Sequence, residues 1–464
     1  MSGISEKLKS AAFTAALQKA LDYLEKDPEA NALKVMDMVD KFTPDGWYVS
    51  QRAAVRTALE TKSNWYRLMM SIFRLDPGVR RAFLQNFLVN ASLVGSGVQE
   101  DTARREGCNV PWAILLDPTS ACNLHCTGCW AAEYGGKLNL TLEEMDSVVS
   151  QGKKLGTYMY IFTGGEPLVR KKDVLALCER HPDCEFLSFT NGTLVDEQFC
   201  RDMLRVKNFV PALSVEGFET ATDGRRGSGV YKQVVRAMEL LKSHGLPFGI
   251  STCYTSANFA DVTSEAYFDQ MIDWGALFVW YFHYMPVGRG AAPGLLPTPE
   301  QRTEVYRRIR AYRETKPIFS MDFQNDAEYV GGCIAGGRRY LHISAAGDVE
   351  PCVFIHYANV NIRDVTLLEA LKSPLFMAYH DGQPFNDNML RPCPMLENPE
   401  RLREMVARTG AKSTDLQSPE TAEHLCAKCD GYAAAWDSTA QRLWACGHSC
   451  EGCTQSCAQH RAAG

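Results

Sequence analysis

Residues 110–130 read VPWAILLDPTSACNLHCTGCW, and residues 158–168 read YMYIFTGGEPL. Each opens as an apolar run of strand length and ends in turn residues. The first turn carries Cys122, Cys126 and Cys129 with the spacing Cys-x3-Cys-x2-Cys. The second carries Gly164-Gly165-Glu166-Pro167. Further along, FLSFTNGTLV (186–195), FVPALSVEGF (209–218), FGISTCYT (248–255) and LFVWYFHYMPVG (277–288) repeat the strand pattern. Between them lie TLEEMDSVVSQGKKLG (141–156) and YKQVVRAMELLKSHG (231–245), apolar at helical spacing and closed by a glycine. Strand and helix in alternation over 110–290 predict an α/β fold with a parallel sheet, open or closed as a barrel. Ligands in such folds bind at the C-terminal strand ends. The cysteine loop, the GGEP segment, Thr190-Asn191, Ser214 and Met285 all fall there.

Three thiolates on one short loop can hold three irons of a cubane cluster and leave the fourth iron open. A structural zinc ion asks for four ligands, with His125 as the candidate to complete the set. The chain holds 17 cysteines, and its start, MSGISEKLKS, lacks the apolar core of a secretory signal. That combination predicts reducing cytoplasm, where clustered thiols serve metal or redox sites rather than disulfides. Cys178, Cys184, Cys200 and Cys253 stand apart and read as core filler. A net charge of −6 gives no footprint for nucleic acid. No apolar run approaches the ~18–20 residues of a membrane span.

The cysteine triplet after the first strand and GGEP after the second resemble the radical S-adenosylmethionine (radical SAM) enzymes, over roughly residues 110–290, and over 110–395 once the downstream cysteines are added. The resemblance implies a partial (β/α)6 barrel, a 4Fe-4S cluster on Cys122, Cys126 and Cys129, and SAM on its open iron. One electron from the cluster would cleave SAM to a 5′-deoxyadenosyl radical that abstracts a substrate hydrogen. Gly164, Gly165 and Glu166 resemble the segment that orients the methionyl amine. Thr190 and Asn191 lie on the same ligand-binding edge. Ser214 and Arg226 resemble the ribose and carboxylate contacts, and Met285 opens the segment that packs the adenine. The family usually has an aromatic residue before the third cysteine; this chain has Gly128, and Trp130 follows instead. Strand alternation places Tyr281 and His283 on one face, which predicts them as catalytic or substrate-positioning groups if that face looks inward.

Downstream, CIAGGRRYLHISAAGDVEPC (333–352) reads as two strands around an AAGD turn, with the spacing Cys-x13-Gly-x4-Cys. It resembles the start of a SPASM or twitch auxiliary-cluster domain. Cys333, Cys352 and Cys393 would be ligands, with Cys426 or Cys429 as the fourth; a zinc-stabilised hairpin is the alternative. Cys446, Cys450, Cys453 and Cys457, spaced x3, x2, x3, could close a second auxiliary cubane or hold zinc. One or two auxiliary 4Fe-4S clusters are thus expected, fed by an external ferredoxin- or flavodoxin-like electron donor.

The expected organisation is a helical unit over 1–107, the barrel over 108–320 and a cysteine-rich unit over 321–464. Between Thr61 and Val98, Lys62, Arg67, Arg74, Arg80 and Arg81 interleave with Trp65, Tyr66, Phe73, Phe83 and Phe87. Such a stretch can lie on an anionic membrane surface, or pack on the barrel with a solvated basic face. The membrane option tilts the expected substrate of the radical chemistry toward a membrane lipid or another small molecule. A maturase acting on a ribosomal peptide or protein is the first alternative. A non-catalytic iron–sulfur electron carrier is the second, and GGEP argues against it, because a carrier needs no open iron.

Overall fold

The computed structural model describes residues 15–16, 18–42, 49–131, 134–288 and 290–448. Its centre is a nine-stranded sheet in the order β7-β6-β5-β4-β3-β2-β1-β8-β9. The strands are β1 Ala113–Leu116, β2 Met159–Phe162, β3 Glu185–Thr190, β4 Phe209–Ser214, β5 Gly249–Tyr254, β6 Phe278–His283, β7 Phe319–Asp322, β8 Tyr340–Ile343 and β9 Val349–Glu350. Neighbours pair in parallel from β7 through β1 to β8; only β8 and β9 are antiparallel. The first six strands are the predicted βα repeat. The helix Leu142–Lys154 starts as its sequence dictates: Thr141 and Glu144 form a capping box, an arrangement whose loss costs about 1 kcal/mol.

Side-chain alternation splits the apolar residues into two layers. Ile114, Leu116, Tyr160, Phe162 and Phe186 point outward against the helices. Ala113, Leu115, Met159, Ile161, Leu187 and Ala212 point into the barrel. There they meet Phe354, Tyr379 and Cys426 from the C-terminal part. The sheet therefore does not stop at the expected boundary at 320: β8, the first strand of the cysteine hairpin, hydrogen-bonds directly to β1. The turn after it needs Gly347 at φ +88, where a Cβ would lie 2.6 Å from Asn361 Oδ1. This accounts for the glycine of the Cys-x13-Gly-x4-Cys pattern.

The basic, aromatic stretch near the N-terminus divides: Lys62, Arg67 and Arg74 are exposed, whereas Arg80 is buried. Buried Arg80 pairs with Glu25 at 2.6 Å and donates to the carbonyls of Phe73 and Leu75. Arg81 pairs with the same Glu25, and its hydrogen bond does most to hold that carboxyl down at about 2. Trp65 packs on Phe319 of β7, and Phe83 stacks on Phe87, which meets Trp112 edge-on. Asn86 donates to the carbonyls of Pro182 and Cys184, and Asn64 to those of Arg313 and Lys316. Trp65, Phe87, Asn64 and Asn86 dock these helices on the barrel, and Lys62, Arg67 and Arg74 form a solvated basic face. Among the described residues, no helix is long and apolar enough to cross a membrane.

The C-terminal part holds the helix Pro399–Thr409 and the 27-residue helix Ala422–His448. Cys426 and Cys429 lie on the latter, one turn apart, both with no solvent exposure.

Candidate active site

The cysteine loop leaves the C-terminal end of β1 and rests on the GGEP segment. Gly165 N donates to Thr119 O at 3.0 Å, and Glu166 N to Ala121 O at 2.8 Å. A Cβ on Gly165 would lie 2.2 Å from Ala121 O, and Gly164 sits at φ +100 with Thr119 O 2.7 Å from a Cβ. Both glycines are demanded by this backbone-on-backbone contact.

Glu166 is engaged by the protein itself. It is buried; its Oε1 accepts from the Thr190 hydroxyl at 2.6 Å and Leu168 N at 3.0 Å, and its Oε2 from Asn191 N at 2.7 Å. Burial outweighs these donors and raises its carboxyl above the usual range. Asn191 in turn donates to Asn123 Oδ1 at 2.8 Å, within the cysteine loop. Glu166, Thr190 and Asn191, expected as direct SAM contacts, form the frame beneath the loop.

Cys122 is exposed at the loop's edge, and Cys126 and Cys129 are half-buried, none in a disulfide. Leu124 N donates to Cys122 Sγ at 3.4 Å, and Arg226 Nη1 lies 4.0 Å from Cys126 Sγ. Desolvation of its sulfur pushes the Cys122 thiol up to about 11, and a coordinated metal would deprotonate it. No three His, Cys, Asp or Glu side chains among the described residues converge closely enough to share one metal ion. Three thiols on one loop suit three irons of a cubane and fall one short of a structural zinc set.

Beside the loop opens a cavity of about 210 Å³ inside the barrel. Gly128, Ser214, Arg225 and Arg226 line it next to the cysteine loop. Trp130, Phe189, Trp280, Phe282 and Phe354 wall it with aromatic rings. Of the residues expected from the sequence, Ser214, Arg226, His283 and Met285 line this cavity, whereas Gly164, Gly165, Glu166, Thr190, Asn191 and Tyr281 do not. Cys253, expected as core filler, also lines it, while Cys178, Cys184 and Cys200 are buried in the outer layer as expected.

The space beside Gly128 belongs to Tyr284. Gly128 sits at φ +65, and a Cβ there would lie 2.7 Å from Tyr284 Oη. A ring from the end of β6 thus stands where the loop lacks its own. Trp130 is boxed edge-on by His342, His356, Tyr134 and Phe354. Behind it, His342 faces a carboxylate on each nitrogen: Nε2 is 2.9 Å from Asp117 Oδ1 and Nδ1 is 2.6 Å from Glu350 Oε2. Burial opposes the imidazolium, but the two carboxylates outweigh it and raise His342 to about 10. Tyr134 also donates to Glu350, at 2.9 Å. The cysteine loop and the hairpin share this buried knot.

Tyr281 and His283 correct the expectation made for them. Tyr281 points outward; it stacks on Phe268, and its hydroxyl donates to Val262 O at 2.7 Å. The inward face of β6 belongs to Trp280 and Phe282. His283 borders the cavity, but both of its nitrogens are engaged, Nδ1 at 2.7 Å from Tyr284 O and Nε2 at 2.8 Å from Tyr432 Oη. Burial, with nearby Arg302, holds it well below the usual histidine range, so it is neutral. Fully buried Arg302 also binds Tyr432 at 3.0 Å and Glu397 at 2.6 Å. His283 belongs to that structural network rather than to an acid–base pair.

Cys333, Cys352, Cys393 and Cys426 all bear on the buried Tyr379 phenol, whose ionisation burial and then these thiols oppose. Cys352 Sγ lies 2.7 Å from Tyr340 Oη, and Met395 N and Leu396 N each donate to Cys393 Sγ at 3.4 Å. Cys429 adjoins Cys426. The cysteines expected as an auxiliary set thus surround one buried phenol, with donors directed at sulfur. Cys446 ends exposed on the last helix; Cys450, Cys453 and Cys457 lie outside the described residues.

Residues 116–266 match the Radical SAM superfamily. These residues carry a radical SAM domain, whose cofactors are SAM and a 4Fe-4S cluster, and the cysteine-rich region follows it. It is 24% identical to an AdoMet-dependent heme synthase of Methanosarcina barkeri, over 55% of this chain and 80% of that one. It is 27% identical to a PqqA peptide cyclase of Gluconobacter oxydans, over 63% of this chain and 84% of that one. Streptococcus suis SuiB, solved with its precursor peptide SuiA, shares the fold with a TM-score of 0.53 at 16% identity, over 64% of this chain and 74% of SuiB.

Proposed function

We propose that this radical SAM enzyme is a maturase that modifies a peptide or protein, taking an apolar side chain of its substrate into the barrel cavity. When bound, the cluster and SAM supply the 5′-deoxyadenosyl radical. The chain's own residues do the rest. Cys122, Cys126 and Cys129 hold the cluster, Arg226 and Ser214 meet SAM at the cavity's edge, and the aromatic walls exclude water from the substrate group. Cys333, Cys352 and Cys393, with Cys426 or Cys429, hold an auxiliary cluster. An external ferredoxin- or flavodoxin-like donor delivers electrons.

The observation that carries this reading is the cavity itself. Its walls of Trp130, Phe189, Trp280, Phe282 and Phe354 suit an apolar side chain, next to the polar edge formed by Ser214 and Arg226. The names of the peptide cyclase and of SuiB with its precursor peptide support the same class. A membrane lipid, the substrate class expected from the sequence, has no counterpart among these relatives.

Trp280→Ala tests the assignment of the cavity. The variant should cleave SAM in the absence of substrate at the wild-type rate and lose modification of a peptide substrate. Equal peptide modification by variant and wild type would remove the cavity from the substrate site.

A further inference from the structure

Glu216, two residues beyond β4, has no solvent exposure, yet it carries a carboxylate between two arginines. Its Oε1 accepts from Arg225 Nη1 at 2.7 Å and from Arg226 at Nη2, 2.5 Å, and Nε, 3.0 Å. Its Oε2 accepts from Cys253 N at 3.2 Å. Its own backbone is tied down as well: Glu216 N donates to the Thr222 hydroxyl, and Asn258 Nδ2 donates to Glu216 O. Burial raises a lone carboxyl, but the two guanidiniums outweigh it, so Glu216 stays ionised.

Both arginines reach from this carboxylate to the cysteine loop. Arg225 Nε donates to Thr127 O at 3.3 Å, and Thr127 N donates back to Arg225 O at 3.0 Å. On Arg226, Glu216 occupies the Nε/Nη2 edge of the fork. The Nη1 end is left 4.0 Å from Cys126 Sγ, on the cavity side. A guanidinium is planar and rigid, so fixing one edge fixes the direction of the other. A buried carboxylate between two half-buried cations is costly to assemble and costly to break on one side.

We infer that Glu216 is a positioning residue of the cluster site: it aims Arg226 at the Cys126 thiolate and the SAM-binding edge, holds Arg225 on the loop backbone, and balances their charge. This rests on the radical SAM reading of the loop. The potential of an iron–sulfur cluster depends on nearby charge and on hydrogen bonds to its sulfurs. Glu216→Gln keeps the size and removes the negative charge. Two positive guanidiniums beside the cluster would then be unbalanced, and a more positive surrounding favours the reduced state.

The test uses reconstituted, full-length Glu216→Gln and Glu216→Asp with both auxiliary cysteine sets intact. Iron per chain, the reduction midpoint of the SAM-binding cluster by EPR-monitored titration, and SAM affinity by equilibrium dialysis are read for each. Glu216→Gln should raise the midpoint and weaken SAM about tenfold while retaining iron, and Glu216→Asp should recover part of both. Wild-type midpoint and SAM affinity in a folded, iron-loaded Glu216→Gln would overturn the inference, as would loss of fold in Glu216→Gln with an unaltered midpoint in Glu216→Asp. A wild type that takes up no iron on Cys122, Cys126 and Cys129 would instead overturn the radical SAM reading beneath it.

Discussion

Glu166 N donates to Ala121 O at 2.8 Å, so the segment after the second strand and the cysteine loop after the first form one backbone unit. The loop's shape is set by that contact before any cofactor binds. A methyl group on Gly165 would sit 2.2 Å from Ala121 O, and backbone cannot yield cheaply there. Gly165→Ala should therefore lose about 1–3 kcal/mol of stability, the usual cost of overpacking, and bind less iron on the loop. Denaturant unfolding and iron per chain check this; a stable variant with full iron would show that the contact does not shape the site.

The His342 knot carries a pH dependence. An imidazolium raised to about 10 in the folded state, against an ordinary value near 6.5, stabilises the fold fully below about 6.5. That contribution is lost as the pH climbs from there through about 10. Melting temperatures measured between pH 6 and 10 should fall more steeply for the wild type than for His342→Gln. Parallel curves would mean that His342 is neutral in the knot.

Tyr281 and His283 separate by role. Tyr281→Phe leaves the Val262 carbonyl without its donor and should cost about 1–3 kcal/mol. It should leave SAM cleavage unchanged, because the ring is on the outer side of the sheet. His283→Ala should lose stability and SAM cleavage together, since Tyr432 and Tyr284 lose a shared partner. A stable His283→Ala that cleaves SAM but makes no product would return His283 to the substrate site.

The auxiliary set is open to an iron count. Changing Cys333, Cys352 and Cys393 together to Ala should remove about four iron per chain, one cubane, while the loop cluster still reacts with SAM under an artificial reductant. Loss of zinc in place of iron would make the hairpin a structural staple.

The βα repeat, the cysteine triplet and the hairpin set were legible because spacing and strand pattern are local. The direction of a side chain was not. Tyr281 and Trp280 alternate on β6, and only the way the sheet wraps decides which of them looks inward. Glu166 carried a ligand-like signature, but its carboxylate is consumed by Thr190 and Asn191 from the next strand, a partner choice that no linear motif records. Glu216 was read only as part of a strand end, since nothing in its neighbourhood announces that Arg225 and Arg226 fold back onto it. The same holds for Tyr284, whose relation to Gly128 spans the width of the barrel.

The most direct test of the central claim is cofactor cleavage. Anaerobically reconstituted and reduced wild-type protein should convert SAM to 5′-deoxyadenosine and methionine, and the triple variant Cys122→Ala, Cys126→Ala, Cys129→Ala should form none. No 5′-deoxyadenosine from wild-type protein with its cluster confirmed by EPR would contradict the account.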